Sequence, residues 1–148
     1  AVPNKHNGLT FCAGSFSAGE HNDCVAMAKQ FADRTHFVHL RSCYIFPNGN
    51  FTEASHLGGR GHLIELCRIF EKAEQEGKCN SGRRLPMRVD HGMTFTDEPG
   101  GVFDESNHGH NAGYTLLGRM FAMGQIQGVI ATVDDELGIK YKQPGFYD

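Results

Sequence analysis

Three short apolar runs each end in a side chain able to bind a metal. Gly-Leu-Thr-Phe-Cys reaches Cys12, Thr-His-Phe-Val-His reaches His39, and Leu-Pro-Met-Arg-Val-Asp reaches Asp90, with His91 directly after it. Each run is strand-like, and a helical pattern follows each one. In a parallel α/β fold the carboxyl ends of the strands lie side by side, and sites are built there. A thiol, an imidazole and a carboxylate delivered to that edge predict one metal centre. The competing reading of Cys12 alone is a small buried hydrophobe. Ligand type leaves the ion open, since a thiolate favours zinc or similar soft ions and a carboxylate suits manganese.

The elements that must position these residues alternate. Residues 8–12 read as a short strand. Asn22 or Asp23 caps a helix to about Ala32, with Cys24, Val25, Ala28, Phe31 and Ala32 at helical spacing. Residues 35–41 are the clearest strand, with Phe37, His39 and Arg41 on one side and His36, Val38 and Leu40 on the other. A polar excursion follows from Ser42 to Arg60, turning at Pro47-Asn48-Gly49, and its length predicts a functional loop. The next helix spans 61–76, with Leu63, Leu66, Cys67 and Phe70 on one face and Gly77 as its stop.

Residues 85–90 form the third strand, with Arg88 and Asp90 on one side, and a polar stretch over 91–110 carries His91, His108 and His110. The last helix runs from near Asn111 to about Val133. Leu116, Leu117, Met120, Phe121, Met123, Ile130 and Val133 are its expected buried stripe. This β-α-β-α-β-α order predicts a parallel sheet with right-handed crossovers. A closed (β/α) barrel takes eight strands and about 250 residues, so the expectation is a small three-layer α/β domain or part of something larger.

The bulk numbers narrow the function classes. The chain has 148 residues, 39% hydrophobic and 21% charged, the proportions of a soluble globular domain. A net charge of −3 without a basic block argues against nucleic acid as a partner. No apolar stretch is expected to approach the ~20 residues that cross a bilayer. The start, Ala-Val-Pro-Asn-Lys-His, lacks the parts of a signal peptide. Five cysteines, none spaced as C-x-x-C, argue against a disulfide framework and predict a reducing cytoplasm. Cys24 and Cys67 fall on apolar helix faces and are expected in the core, while Cys43 and Cys79 fall in loops. No glycine-rich phosphate motif is present.

Five segments stand together in an order that resembles one family. They are Gly-Leu-Thr-Phe-Cys-Ala-Gly-Ser (8–15), Asp-Arg-Thr-His-Phe-Val-His-Leu-Arg-Ser (33–42), Phe-Thr-Glu-Ala-Ser-His-Leu (51–57), Pro-Met-Arg-Val-Asp-His-Gly (86–92) and Gly-Tyr-Thr-Leu-Leu-Gly-Arg (113–119). Their order resembles that of the barrel-type D-mannonate dehydratases of hexuronate breakdown, from about residue 8 to 133. The resemblance implies a xylose-isomerase-like (β/α)8 TIM barrel, of which residues 1–148 would be the last three βα units, a partial catalytic domain.

It further implies dehydration of D-mannonate to 2-keto-3-deoxy-D-gluconate with a divalent metal, manganese by preference, with Fe2+, Co2+ or Zn2+ as alternatives. Cys12, His39 and Asp90 would be ligands, and His91 and Tyr114 the acid–base pair. One further histidine ligand would come from a preceding strand, in an amino-terminal segment absent from this chain. The complete enzyme would be a cytoplasmic homo-oligomer, with no membrane or nucleic-acid partner. Gly58-Gly59-Arg60-Gly61 departs from the acidic stretch expected there.

The chemistry suits these residues. Loss of water from a sugar acid needs a base for the proton beside the carboxylate and an acid for the departing hydroxyl, while a cation stabilises the enediolate charge. Arg41, two residues past His39, is a candidate to bind the substrate carboxylate bidentately. His56 is a candidate for sugar hydroxyls, and Arg88 for either an ion pair or the substrate. The competing functions are a metal-dependent aldose–ketose isomerase on the same fold and a non-catalytic metal-binding α/β fragment. As an incomplete portion, the chain is expected to be inactive alone.

Overall fold

The computed structural model describes Val2 and residues 4–95 and 113–140. Three strands form one parallel sheet in the order β1-β2-β5: β1 Leu9–Cys12, β2 Thr35–His39 and β5 Met87–Arg88. The α/β class and the parallel pairing therefore follow the expectation. Register aligns the carboxyl ends: Cys12 lies opposite His39, and His39 opposite Arg88.

The third strand is shorter than expected. Pro86 brings no N–H to a ladder, though its carbonyl accepts from Val38 N at 3.0 Å. Beyond Arg88 the chain turns out at Asp90, which is left-handed at φ 59. Aspartate tolerates that conformation better than most residues.

Helix α2, Cys24–Phe31, starts at Asp23, whose Oδ1 accepts from Val25 N at 3.0 Å and Ala26 N at 2.9 Å. Helix α3, Leu63–Gln75, buries the predicted stripe of Leu63, Leu66, Cys67 and Phe70. It ends at Gly77 (φ 66), where Gly77 N donates to Glu74 O and Lys78 N to Ala73 O. The core lies between the sheet and these helices. Phe11 meets Phe70 edge-on at 5.2 Å, and Val38 and Leu40 are fully buried on the β2 face opposite His39. Each such buried side chain contributes roughly 1.5–3 kcal/mol. All five cysteines are free, with Cys24, Cys43, Cys67 and Cys79 buried.

Two elements were not expected. A short helix, α1 (Ala13–Ser17), follows Cys12 directly. The excursion over 42–60 contains an antiparallel hairpin, β3 (Cys43–Ile45) with β4 (Phe51–Glu53), turning where Phe46 N donates to Asn50 O at 2.7 Å. Short strands inside a polar segment carry too few apolar positions to register as alternation.

The last helix, α4, spans Leu116–Leu137 and corrects the expectation most. Its expected start near Asn111 lies outside the described residues. Val133 is buried, but Leu116, Leu117, Met120, Phe121 and Met123 are exposed, and the buried positions are Gly118, Ala122, Ile126, Val133 and Asp134. The helix is apolar nearly all round, so periodicity could not select a face. Close packing selected the small residues instead. Contrary to the sequence expectation, α4 is also long and apolar enough, by length and composition, to cross a membrane.

Where α3 meets α4, carboxylates crowd. Burial, then the nearby Asp134 and Glu74, push Glu71 from 4.5 up to about 7 against the pull of Arg84. The folded chain therefore holds a proton there that the unfolded chain has released. That stabilisation is complete below 4.5 and lost as pH rises through 7. The melting temperature is expected to fall across that window, and Glu71→Gln to flatten the slope. Parallel melting curves for the two proteins would count against the contact.

Candidate metal centre

β1 and β2 end on Cys12 and His39, and the turn after β5 delivers Asp90. One donor atom from each lies within 4.8 Å of the others. Asp90 is the hub and is only 6% exposed. Its Oδ2 lies 3.5 Å from His39 Nδ1 and 4.0 Å from Cys12 Sγ. Its Oδ1 accepts from Arg88 Nη2 at 3.0 Å and from the Tyr114 hydroxyl at 3.2 Å. Ser15 Oγ donates to Cys12 Sγ at 3.2 Å.

Donors that share one divalent ion sit about 2.0–2.3 Å from it, hence about 3–4 Å from each other. The 3.5 and 4.0 Å separations of Asp90 Oδ2 from His39 Nδ1 and Cys12 Sγ, and the thiol–imidazole–carboxylate chemistry, fit such an ion. Burial, opposed by Asp90 and assisted by Arg88 and His91, lowers the His39 pKa, which keeps the ring in its neutral, ligating form.

A second cluster adjoins the first. Arg41 clamps Glu53 of β4: Nε donates to Oε1 and Oε2 at 3.1 and 2.9 Å, and Nη2 donates to Oε1 at 2.6 Å. Burial lowers the Arg41 pKa, but the bonds and charge of Glu53 outweigh it and raise the group overall. Glu53 Oε1 also lies 3.0 Å from His91 Nδ1, close in distance but off the line of a hydrogen bond. The His91 ring meets the Tyr114 ring at 4.3 Å, and the Arg119 guanidinium lies 5.6 Å over the Tyr114 ring.

This arrangement matches a known family over most of its length. Residues 1–140 match the model of the D-mannonate dehydratase (UxuA) family. The chain belongs to the D-mannonate dehydratase family. It is 38% identical to mannonate dehydratase 2 of Agrobacterium fabrum over 139 residues, which cover 93% of this chain and 33% of that protein. It is also 38% identical to the mannonate dehydratase of Saccharophagus degradans, over 90% of this chain and 33% of that one. The chain thus spans about a third of the length of the curated relatives it matches. The crystal structure of mannonate dehydratase from Streptococcus suis serotype 2 shares the fold, with a TM-score of 0.75 at 20% identity over 99% of this chain and 39% of that one.

Within this family member the structure brings together Cys12, His39, Asp90, Arg88, His91 and Tyr114. Arg41 stands beside them with its fork committed to Glu53. His56 is not brought to the group. It is 2% exposed, its Nε2 lies 2.9 Å from Val89 O, and burial lowers its pKa. His108 and His110 lie outside the described residues. A cleft between α2 and α3, lined by Lys29, Asp33, Glu65, Arg68 and Lys72, contains none of these residues. Donor chemistry locates the site here.

Sequence reading missed Glu53. Its position in Phe-Thr-Glu, within a segment that carries the family resemblance, was the available signal. Gly113 was missed as well. It has φ 92, and a Cβ there would stand 2.9 Å from His91 Cβ and 3.1 Å from Glu53 Cγ, so only glycine fits.

Proposed function

We propose that residues 1–148 are the carboxyl-terminal three βα units of a (β/α)8 barrel that dehydrates D-mannonate to 2-keto-3-deoxy-D-gluconate. The observation that carries this reading is the convergence of Cys12, His39 and Asp90 at the carboxyl ends of parallel strands. The β1 and β5 edges and the exposed apolar residues of α4 are the surfaces a closed barrel would cover. Five free cysteines suit a cytoplasmic enzyme.

The cofactor is a divalent cation, Mn2+ by family resemblance, held by Cys12, His39, Asp90 and a histidine from the amino-terminal segment. When bound, it would stabilise negative charge on the substrate carboxylate and orient the hydroxy acid. The chain's own residues carry the protons. His91 and Tyr114 stand on one side of Asp90, with their rings in contact, and form the acid–base pair. One takes the C2 proton. The other protonates the C3 hydroxyl, which leaves as water, and the enol left behind ketonises. Arg88, 40% exposed and tethered to Asp90, is better placed for the substrate carboxylate than Arg41, whose guanidinium is spent on Glu53.

The complete enzyme is expected to turn over D-mannonate and to leave aldoses untouched. The isolated 148-residue chain is expected to show no turnover, because it would hold only part of the ligand set and the barrel. Aldose isomerisation by the complete enzyme would favour the isomerase reading. Turnover of D-mannonate by the isolated chain would sink the partial-barrel assignment.

A further inference from the structure

The Arg41–Glu53 pair lies outside the metal group, and neither residue moves a proton in the reaction, but it reaches His91, which does. Glu53 presents Oε1 to Arg41 Nη2 at 2.6 Å and to His91 Nδ1 at 3.0 Å. The fork of Arg41 grips the Glu53 carboxylate through three hydrogen bonds. A carboxylate oxygen at 3.0 Å repels a ring-nitrogen lone pair and attracts a ring N–H. That separation favours the His91 tautomer with its proton on Nδ1 and its lone pair on Nε2. Nε2 is the nitrogen nearer the metal group, 4.0 Å from Asp90 Oδ2.

Packing keeps the ring from flipping away. Gly113 backs onto it with no room for a Cβ, and Gly92 N donates to Gly113 O at 2.8 Å. The Arg41 stem lies against Gly14 just after Cys12, where a Cβ would fall 2.3 Å from Arg41 Cδ. The clamp is therefore built from the same strand ends as the ligands.

We propose that Glu53 is a positioning residue for His91: anchored by Arg41, it holds the proton on Nδ1 and turns the Nε2 lone pair toward substrate. This rests on the dehydratase reading, in which His91 exchanges a proton with the sugar acid. The partner nitrogen of a functional histidine sets which ring nitrogen does the work. Loss of such an outer partner costs roughly ten- to a hundredfold in activity.

Two measurements on the complete enzyme test it. Histidine 15N spectra of the metal-free protein, at a pH where the ring is neutral, report the tautomer directly. His91 is assigned by the signal missing from His91→Gln. The expected result is an Nδ1–H tautomer in the parent and a mixture in Glu53→Ala. In kinetics, Glu53→Ala is expected to lose roughly ten- to a hundredfold in kcat with KM and metal content nearly unchanged. Glu53→Gln, whose amide oxygen can still face Nδ1, is expected to recover much of that loss.

An Nε2–H tautomer in the parent overturns the proposal, and so does parental kcat in Glu53→Ala. If Glu53→Ala does not fold, the parent's tautomer still decides. A parent without turnover of D-mannonate overturns the function reading instead, and the spectra still judge Glu53.

Discussion

In the proposed complete dehydratase, Asp90→Asn is expected to empty the metal centre and lower activity by about a thousandfold or more, the scale of transition-state charge stabilisation that a bound cation supplies. The substitution keeps size and shape. Asparagine also tolerates the left-handed backbone at φ 59, so the turn after β5 is preserved. What changes is charge. Oδ2 faces His39 Nδ1 at 3.5 Å and Cys12 Sγ at 4.0 Å, while Oδ1 accepts from Arg88 and Tyr114. One carboxylate thus joins the proposed ligand group to the proposed acid–base pair, and a neutral amide serves neither as well. Metal content by mass spectrometry and kcat at a saturating divalent metal check this together. Full metal occupancy with kcat within tenfold of the parent would dismantle the centre as described.

In the same proposed complete enzyme, Gly118→Ala is expected to cost about a hundredfold in kcat although it lies outside the metal group. A Cβ at Gly118 would stand 1.9 Å from Met93 O, and one at Gly92 would stand 2.3 Å from Gly118 O. Two backbones touch here, the segment after His91 and the first turn of α4. Alanine is the better helix former by about 1 kcal/mol, but overpacking two backbones costs about 1–3 kcal/mol. The helix start must therefore move. Tyr114 immediately precedes the Thr115 cap, and its hydroxyl reaches Asp90 Oδ1 at 3.2 Å. A displacement near 1 Å at a reacting group can cost about a hundredfold. Metal content is expected to hold while kcat and the melting temperature both fall. A higher melting temperature would mean that helix propensity outweighs the contact.

Local patterns were legible wherever one face of an element is apolar and the other polar. Leu63, Leu66, Cys67 and Phe70 stood out because α3 is amphipathic, and Val38 and Leu40 because β2 alternates. Asp23 and Gly77 marked helix ends through chemistry confined to a few residues. In α4 that contrast is missing: of the predicted stripe, Leu116, Leu117, Met120, Phe121 and Met123 are exposed, while Ile130 packs against the core and Val133 is buried. Its buried side follows from Gly118 and Ala122, which permit a close approach that no apolar count reveals. The β3–β4 hairpin escaped notice because three-residue strands are too short to show a period.

By itself, the sequence determined that a thiol and an imidazole would end two strands and a carboxylate would follow a third, because strand position and alternation are written in consecutive residues. Tertiary structure alone decided that Asp90 would link Cys12 and His39 to Tyr114 and Arg88, and that Arg41 would turn to Glu53 rather than stand open. Those outcomes depend on distances between residues far apart in the chain. Such distances are set by sheet register and by glycine-permitted backbone contacts, neither of which leaves a local pattern.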